Sequence, residues 1–152
     1  MKNLAKTILC AISLFLCVPA AAETLEYSGR VYAERVAQLL PLGSGTGILT
    51  MHAVGLVAMS GDPPSIFSLI CSGLGIQNPE DVTTTEVYCN LAEDAANSFD
   101  LHGNFKDGAG EVKVIGGNGR FAGATGSGKF KRNEPGSDQE GTGVLQVTIK
   151  TK

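Results

Sequence analysis

Along most of this chain apolar and polar residues change places at every second position, and that period decides what the chain can become. In residues 144–150, Leu145, Val147 and Ile149 fall on one side of an extended backbone, and Gln146, Thr148 and Lys150 on the other. A strand turns successive side chains to opposite faces, so such a segment has one dry face and one wet one. The same rule sets Phe99, Leu101, Gly103 and Phe105 against Asp100, His102 and Asn104, and Val87, Cys89 and Leu91 against Glu86, Tyr88 and Asn90. Val112 and Val114 stand opposite Glu111 and Lys113, and Phe130 stands between Lys129 and Lys131. No long helical period interrupts this pattern after residue 22.

Three segments are less regular. Residues 48–59 are apolar on both faces and interrupted by Gly55, which suits either two strands or one long bent strand. Residues 66–71 form another apolar run, entered through the turn Gly61-Asp62-Pro63-Pro64. Near the start, Tyr27, Gly29, Val31 and Ala33 alternate with Ser28, Arg30 and Tyr32 and run toward Gln38, where Val36, Leu39 and Leu40 also permit one helical turn. The total is eight or nine short strands punctuated by Gly, Asp, Asn and Pro. This predicts an all-β fold, a closed antiparallel β-barrel of about eight strands, with a β-sandwich as the alternative. Closure is preferred because it removes exposed edges. An eight-stranded barrel holds either packed side chains or one small ligand, so the state of its interior is the functional question.

The first 22 residues follow different rules. Lys2 and Lys6 precede an apolar core over residues 8–18, and Pro19-Ala20-Ala21-Ala22 gives a small-residue exit. This is the pattern of a secretory signal peptide cleaved after Ala22, too short to be a membrane anchor. A lipoprotein reading would use Cys17, but Leu14-Phe15-Leu16 puts a bulky residue where a small one is needed. The remainder, 23–152, is one domain in size. It keeps all 20 Gly, and with the two leader lysines removed its charge is 10 − 15 = −5. That acidic balance, without a basic cluster, argues against nucleic acid and against anionic membrane surfaces after signal cleavage. Export to the periplasm or beyond also gives the two remaining cysteines a meaning. Cys71 and Cys89 are expected to form a disulfide closing a loop of 89 − 71 − 1 = 17 residues. The competing reading is a thiol nucleophile with His52 or His102 as base, which needs a free cysteine.

Two glycine motifs mislead. Gly123-Ala124-Thr125-Gly126-Ser127-Gly128-Lys129 has the spacing of a phosphate loop, but Phe130 stands where a magnesium-binding Ser or Thr belongs. Gly117-Asn118-Gly119-Arg120-Phe121-Ala122 has the spacing of a dinucleotide fingerprint, yet no helix follows it. The simpler reading is that Gly116, Gly117 and Gly119 supply positive φ values in a tight turn or bulge. No nucleotide, no other cofactor and no metal is expected. His52 and His102 lack partner ligands of regular spacing, and Glu93, Asp94 and Asn97 read as a surface turn rather than a calcium loop.

The same glycine-rich segment carries a resemblance. Val114-Ile115-Gly116-Gly117-Asn118-Gly119-Arg120-Phe121-Ala122-Gly123-Ala124-Thr125-Gly126-Ser127-Gly128 is similar to the turn of the allene oxide cyclase and dirigent barrel superfamily, usually Val-x-Gly-Gly-Thr-Gly-x-Phe followed by Ala-x-Gly. Asn118 replaces the usual Thr. The chain resembles in particular small secreted bacterial proteins with that barrel. The resemblance implies an eight-stranded antiparallel barrel, often trimeric or dimeric, whose interior can hold a hydrophobic molecule. Plant relatives cyclise an unsaturated fatty-acid epoxide or steer the coupling of phenoxy radicals. The matched turn is structural and brings no catalytic residue with it.

Three functions therefore stay open. The first is a secreted barrel binding a small hydrophobic ligand. The second is an isomerase, cyclase or dirigent-like protein acting on a lipid-like or phenolic substrate, with Glu26, Tyr27, Arg30, Tyr32 and Glu34 as first candidates because they are polar groups on an early strand. The third is self-association as a homo-oligomer, for which Met51, Val57 and Met59 supply one apolar alternation face, with burial inside the chain as the simpler explanation.

Overall fold

The period of two becomes a single closed sheet. A computed structural model describes residues 22–152 except 62, 79, 81, 82 and 134–139; residues 1–21 of the leader, with Lys2, Lys6 and Cys17, lie outside the described residues. Eight strands follow one another: β1 (Thr24–Gly43), β2 (Thr46–Ser60), β3 (Ser65–Gln77), β4 (Thr83–Ala92), β5 (Ser98–Lys106), β6 (Ala109–Asn118), β7 (Thr125–Arg132) and β8 (Glu140–Lys150). Each pairs antiparallel with the next, and β8 returns to β1, with Thr24 opposite Lys150 and Glu34 opposite Glu140. The only helical element among the described residues is one 3-10 turn, Gly119–Phe121.

The alternation read from the sequence is the inside and outside of this barrel. Leu145, Val147 and Ile149 of β8 point inward and are buried, as do Val112 and Val114 of β6 and Phe99 and Leu101 of β5. On the outer face of the same half stand Glu111, Lys113, Lys129, Lys131, Gln146 and Lys150, all exposed. A bilayer-spanning barrel is apolar outside all round; this one is charged over half its circumference.

Two ambiguous segments resolve as strands. Residues 48–59 lie in one strand, β2, and the turn of helix permitted at Val36, Leu39 and Leu40 does not form. Pairing decides it, because Val36 faces His52, Leu39 faces Leu49 and Leu40 faces Ile48 in the β1–β2 ladder. Gly55 permits the close packing of that pair, since a Cβ there would lie 2.6 Å from the Cα of Ala33.

The two ends of the barrel differ. Pairing of β1 with β8 stops at Glu34, whereas β1 continues with β2 to Gly43 opposite Thr46, and β2 with β3 to Gln77 opposite Gly47. Among the described residues, the paired wall made of β1, β2 and β3 therefore reaches further at this end than the wall made of β7 and β8.

Candidate functional site

The low end of the barrel is sealed by aromatic rings. Phe67, Phe99 and Phe121 are fully buried, and Tyr27 is nearly so. Their rings meet edge-on or tilted, with centroids 5.9 Å apart for Tyr27 and Phe67, 5.5 Å for Phe67 and Phe99, and 5.2 Å for Phe99 and Phe121. These separations lie in the range where the positive edge of one ring meets the negative face of another. Phe121 arrives through the glycine-rich turn. Of the three glycines expected to supply positive φ, only Gly119 does so, at +60°; Gly123, further on, is at +68°. Gly117 is needed for space instead: a Cβ there would lie 2.5 Å from the Ser98 carbonyl oxygen and 2.7 Å from that of Phe121. Gly116 has open space, its nearest neighbour being 3.9 Å away. Gly126 is a third case, a strand position pressed against the backbone of Thr148 on β8. The β5–β6 register also slips between Asp100 and Leu101, a bulge at the same turn.

Polar groups close the seal from outside. Arg120 lies over the Phe121 ring at 4.6 Å, pairs with Glu93 at 2.7 Å and donates to the Tyr27 hydroxyl at 3.3 Å. The Asn97 side-chain oxygen accepts the Arg120 backbone N–H at 2.9 Å. Asp94 accepts hydrogen bonds from the Asn97 side chain and from the backbone N–H groups of Ala96 and Asn97. Those bonds, the Asn97 side chain first, hold its carboxyl below the ordinary carboxylate value. The residues that faintly suggested a calcium loop thus form a turn docked onto the glycine-rich segment.

Above this plug the described residues enclose an unfilled lumen. A cavity of about 1110 Å³ runs from Val57, Leu91 and Leu145 up to the mouth. Its wall is aliphatic, with Val31, Ala33, Ala53, Leu69, Val87 and Leu101 among the lining side chains, and Phe105 and Phe130 stand edge-on near the top, 5.6 Å apart. Both rings lie over glycines that leave room for them, Gly103 and Gly143. The disulfide forms as expected: Cys71 and Cys89 face each other across β3 and β4, Cα atoms 4.1 Å apart, and line the same wall. Charged side chains border the cavity only at its mouth, among the described residues: Glu34, Arg35, Asp107 and Arg132, together with Gln77, Thr83 and Thr85. The Asp107 carboxylate accepts the Thr83 N–H at 3.2 Å and so fixes one side of that rim.

The early-strand candidates divide by parity. Tyr27 points inward but belongs to the sealed end, with its hydroxyl held by Arg120. Glu26, Arg30, Tyr32 and Glu34 are on the outer face, Tyr32 half exposed and Glu34 at the rim. Val57 and Met59 are buried inside the barrel, and Met51, half buried, lines the cavity. The apolar face they make is covered within the chain. The two histidines lie outside: His52 Nδ1 is 3.2 Å from Ser72 Oγ, and His102 Nε2 is 2.8 Å from Glu86 Oε1 with its ring stacked on Tyr88. Hydrogen bonding to Glu86 and its negative charge raise the Tyr88 phenol above its ordinary value. Neither cysteine is free, so the thiol-nucleophile reading falls.

Neither glycine motif opens a helix of the kind a nucleotide site needs. The phosphate-loop spacing runs directly into β7, and the dinucleotide spacing contains only the short 3-10 turn. The lumen was not visible in sequence, because an inward-facing Val reads the same whether it touches a neighbour or empty space.

No protein-family model and no curated protein sequence matches the chain. Solved structures do. The pterocarpan synthase dirigent protein GePTS1 superposes with a TM-score of 0.55 at 11% identity, over 86% of this chain and 87% of that one. The pterocarpan synthase dirigent protein PsPTS1 superposes with a TM-score of 0.52 at 11% identity, over 88% of this chain and 97% of its own. At that identity the likeness is one of fold, and the fold of this chain is the eight-stranded barrel that dirigent proteins share.

Proposed function

We propose that this chain is an exported barrel that binds one small hydrophobic molecule in its lumen. The observation that carries the reading is the blind-ended aliphatic cavity of about 1110 Å³ with its polar groups gathered at the mouth. Ligand sites are concave and mostly apolar, with a few polar groups that orient the guest. The leader pattern of residues 1–22 and the Cys71–Cys89 disulfide support export to an oxidising compartment. The test is mass spectrometry of molecules extracted from native protein, with displacement of an apolar fluorescent dye. Ala53→Trp, which fills the lumen from the wall, is expected to weaken dye binding at least about ten-fold. An extract at background level together with no dye binding would overturn the reading.

The shared fold of the pterocarpan synthase dirigent proteins favours a second reading, in which the lumen steers a reaction of a phenolic or lipid-like guest. A dry cavity aligns a reactive molecule and keeps water from it without supplying a base. An oxidant that generates phenoxy radicals in bulk gives racemic coupled product; with the protein present, chiral chromatography should show one hand in excess. Racemic product across a panel of phenols removes this reading.

A further inference from the structure

One cluster on the outer wall joins three reactive side chains that face away from the lumen. Tyr88 of β4 stands opposite His102 of β5, and their rings stack with centroids 4.6 Å apart and planes 23° from parallel. Glu86 lies two residues before Tyr88, on the same face of β4, and ties both rings to one atom. Its Oε1 accepts the Tyr88 hydroxyl at 3.2 Å and His102 Nε2 at 2.8 Å. Next in register on the outer face come Asp100, engaged by Asn90, and, on β6, Lys113 opposite His102 and Glu111 opposite Asn104. The neighbouring strand β3 carries no charge.

A phenol bonded to a carboxylate, with an imidazole on the same oxygen, is an arrangement that eases one-electron oxidation. A phenol that loses an electron becomes a strong acid, and a base already bonded to its hydroxyl takes the proton in the same step. The bond to Glu86 and its negative charge hold the Tyr88 phenol above its ordinary value, so the proton is still there to leave with the electron. Composition directs oxidation to tyrosine. The chain has no Trp, and the two cysteines after the leader are joined in the disulfide, so neither indole nor thiolate competes. Methionine takes up oxygen in two-electron steps instead. Tyr27 lies in the plug, where the Arg120 cation donates to its oxygen and opposes loss of an electron. Tyr32, half exposed on β1, stands opposite Leu56 and Thr142, neither of which is a base. We propose that Tyr88 is a redox site: a one-electron oxidant of the kind that phenols reduce takes an electron from its ring while the hydroxyl proton passes to Glu86 Oε1. The oxidant is reduced by one electron, and the protein is left with a neutral tyrosyl radical and a protonated carboxyl. His102, bonded to the same carboxylate oxygen, is a positioning residue. The lumen takes no part, so this site stands or falls independently of ligand binding.

The test uses hexachloroiridate(IV), a one-electron oxidant that transfers no oxygen, with the full chain and freeze-quenched electron paramagnetic resonance. Wild type and Tyr32→Phe should show a tyrosyl signal, and Tyr88→Phe, which keeps a ring against His102, should lose most of it. Glu86→Gln keeps the size of the side chain and removes the base. It should slow the oxidation at least about ten-fold and shrink the difference in rate between ordinary and heavy water. Both positions are exposed on the outer wall, so these near-isosteric changes leave the barrel intact. The proposal is overturned by a wild type without a tyrosyl signal, or by a signal that survives Tyr88→Phe and vanishes in Tyr32→Phe or Tyr27→Phe. A rate unchanged in Glu86→Gln, or a wild-type rate equal in ordinary and heavy water, overturns it as well, because exposure alone would then explain the oxidation.

Discussion

Two adjacent glycines separate two physical reasons for having no side chain. Gly117 is enclosed by backbone, and a methyl group there would press on the Ser98 and Phe121 carbonyls. Gly116 looks onto open space. Gly117→Ala should therefore destabilise the barrel by about 2 kcal/mol, as overpacking against an immovable backbone does, while Gly116→Ala stays within about 0.5 kcal/mol. Paired thermal melts of the two variants check this. Sequence alone assigns both to the same turn, because a letter G does not say whether torsion or space is the constraint. At Asp94 the constraint is electrostatic. Its carboxyl is lowered by its hydrogen bonds, so the stabilisation it gives is present above its unfolded value near 4 and fades as pH falls through the lower folded value. The difference in melting temperature between wild type and Asp94→Ala should be full at about pH 6 and shrink below about pH 4. Tyr88 works in the opposite direction: with its phenol raised, its contribution is present below its unfolded value near 10 and fades as pH rises above it.

At the scale of strands, legibility followed contrast. The strands β5 to β8 could be read because their inner positions are apolar and their outer ones charged, as in Phe130 between Lys129 and Lys131. Strands β2 and β3, and the far half of β1, lack that contrast, since Ile48, Val54, Leu56, Ile66, Ile70 and Leu74 are apolar on the outer face as well. Period two is invisible where both faces are greasy, which is why residues 36–40 also fitted a helical turn and why 48–59 could be one strand or two. The pairing register, a property of neighbours distant in sequence, made the choice. The disulfide was legible from compartment and count. It ties β3 to β4 inside the lumen wall, and replacing both cysteines by serine should cost roughly 3 kcal/mol on the chain-entropy account. Denaturant unfolding of that double variant measures the loss, and thiol titration of the unreduced wild type should find no reactive group at Cys71 or Cys89.

The whole molecule divides into a plug and a chamber. Fully buried rings fill the end that Arg120 and the Glu93–Asn97 turn cover, and the remaining length of the barrel is lined but not filled. The charged half of the outer surface and the apolar half are likewise separate. A tube closed at one end has a kinetic property that a through-pore lacks. Whatever enters must leave by the same opening, so a bulky side chain at Thr83 that narrows the mouth, without reaching the seated guest, slows arrival and departure by the same factor. Residence time lengthens while Kd stays where it was, and stopped-flow exchange of a bound dye would show both rates falling together. Substitution deeper in the wall, at Ala53 or Val87, changes departure alone and with it the affinity. Entry and grip are set at opposite ends of the chamber, and a chain of this fold can alter one without disturbing the other.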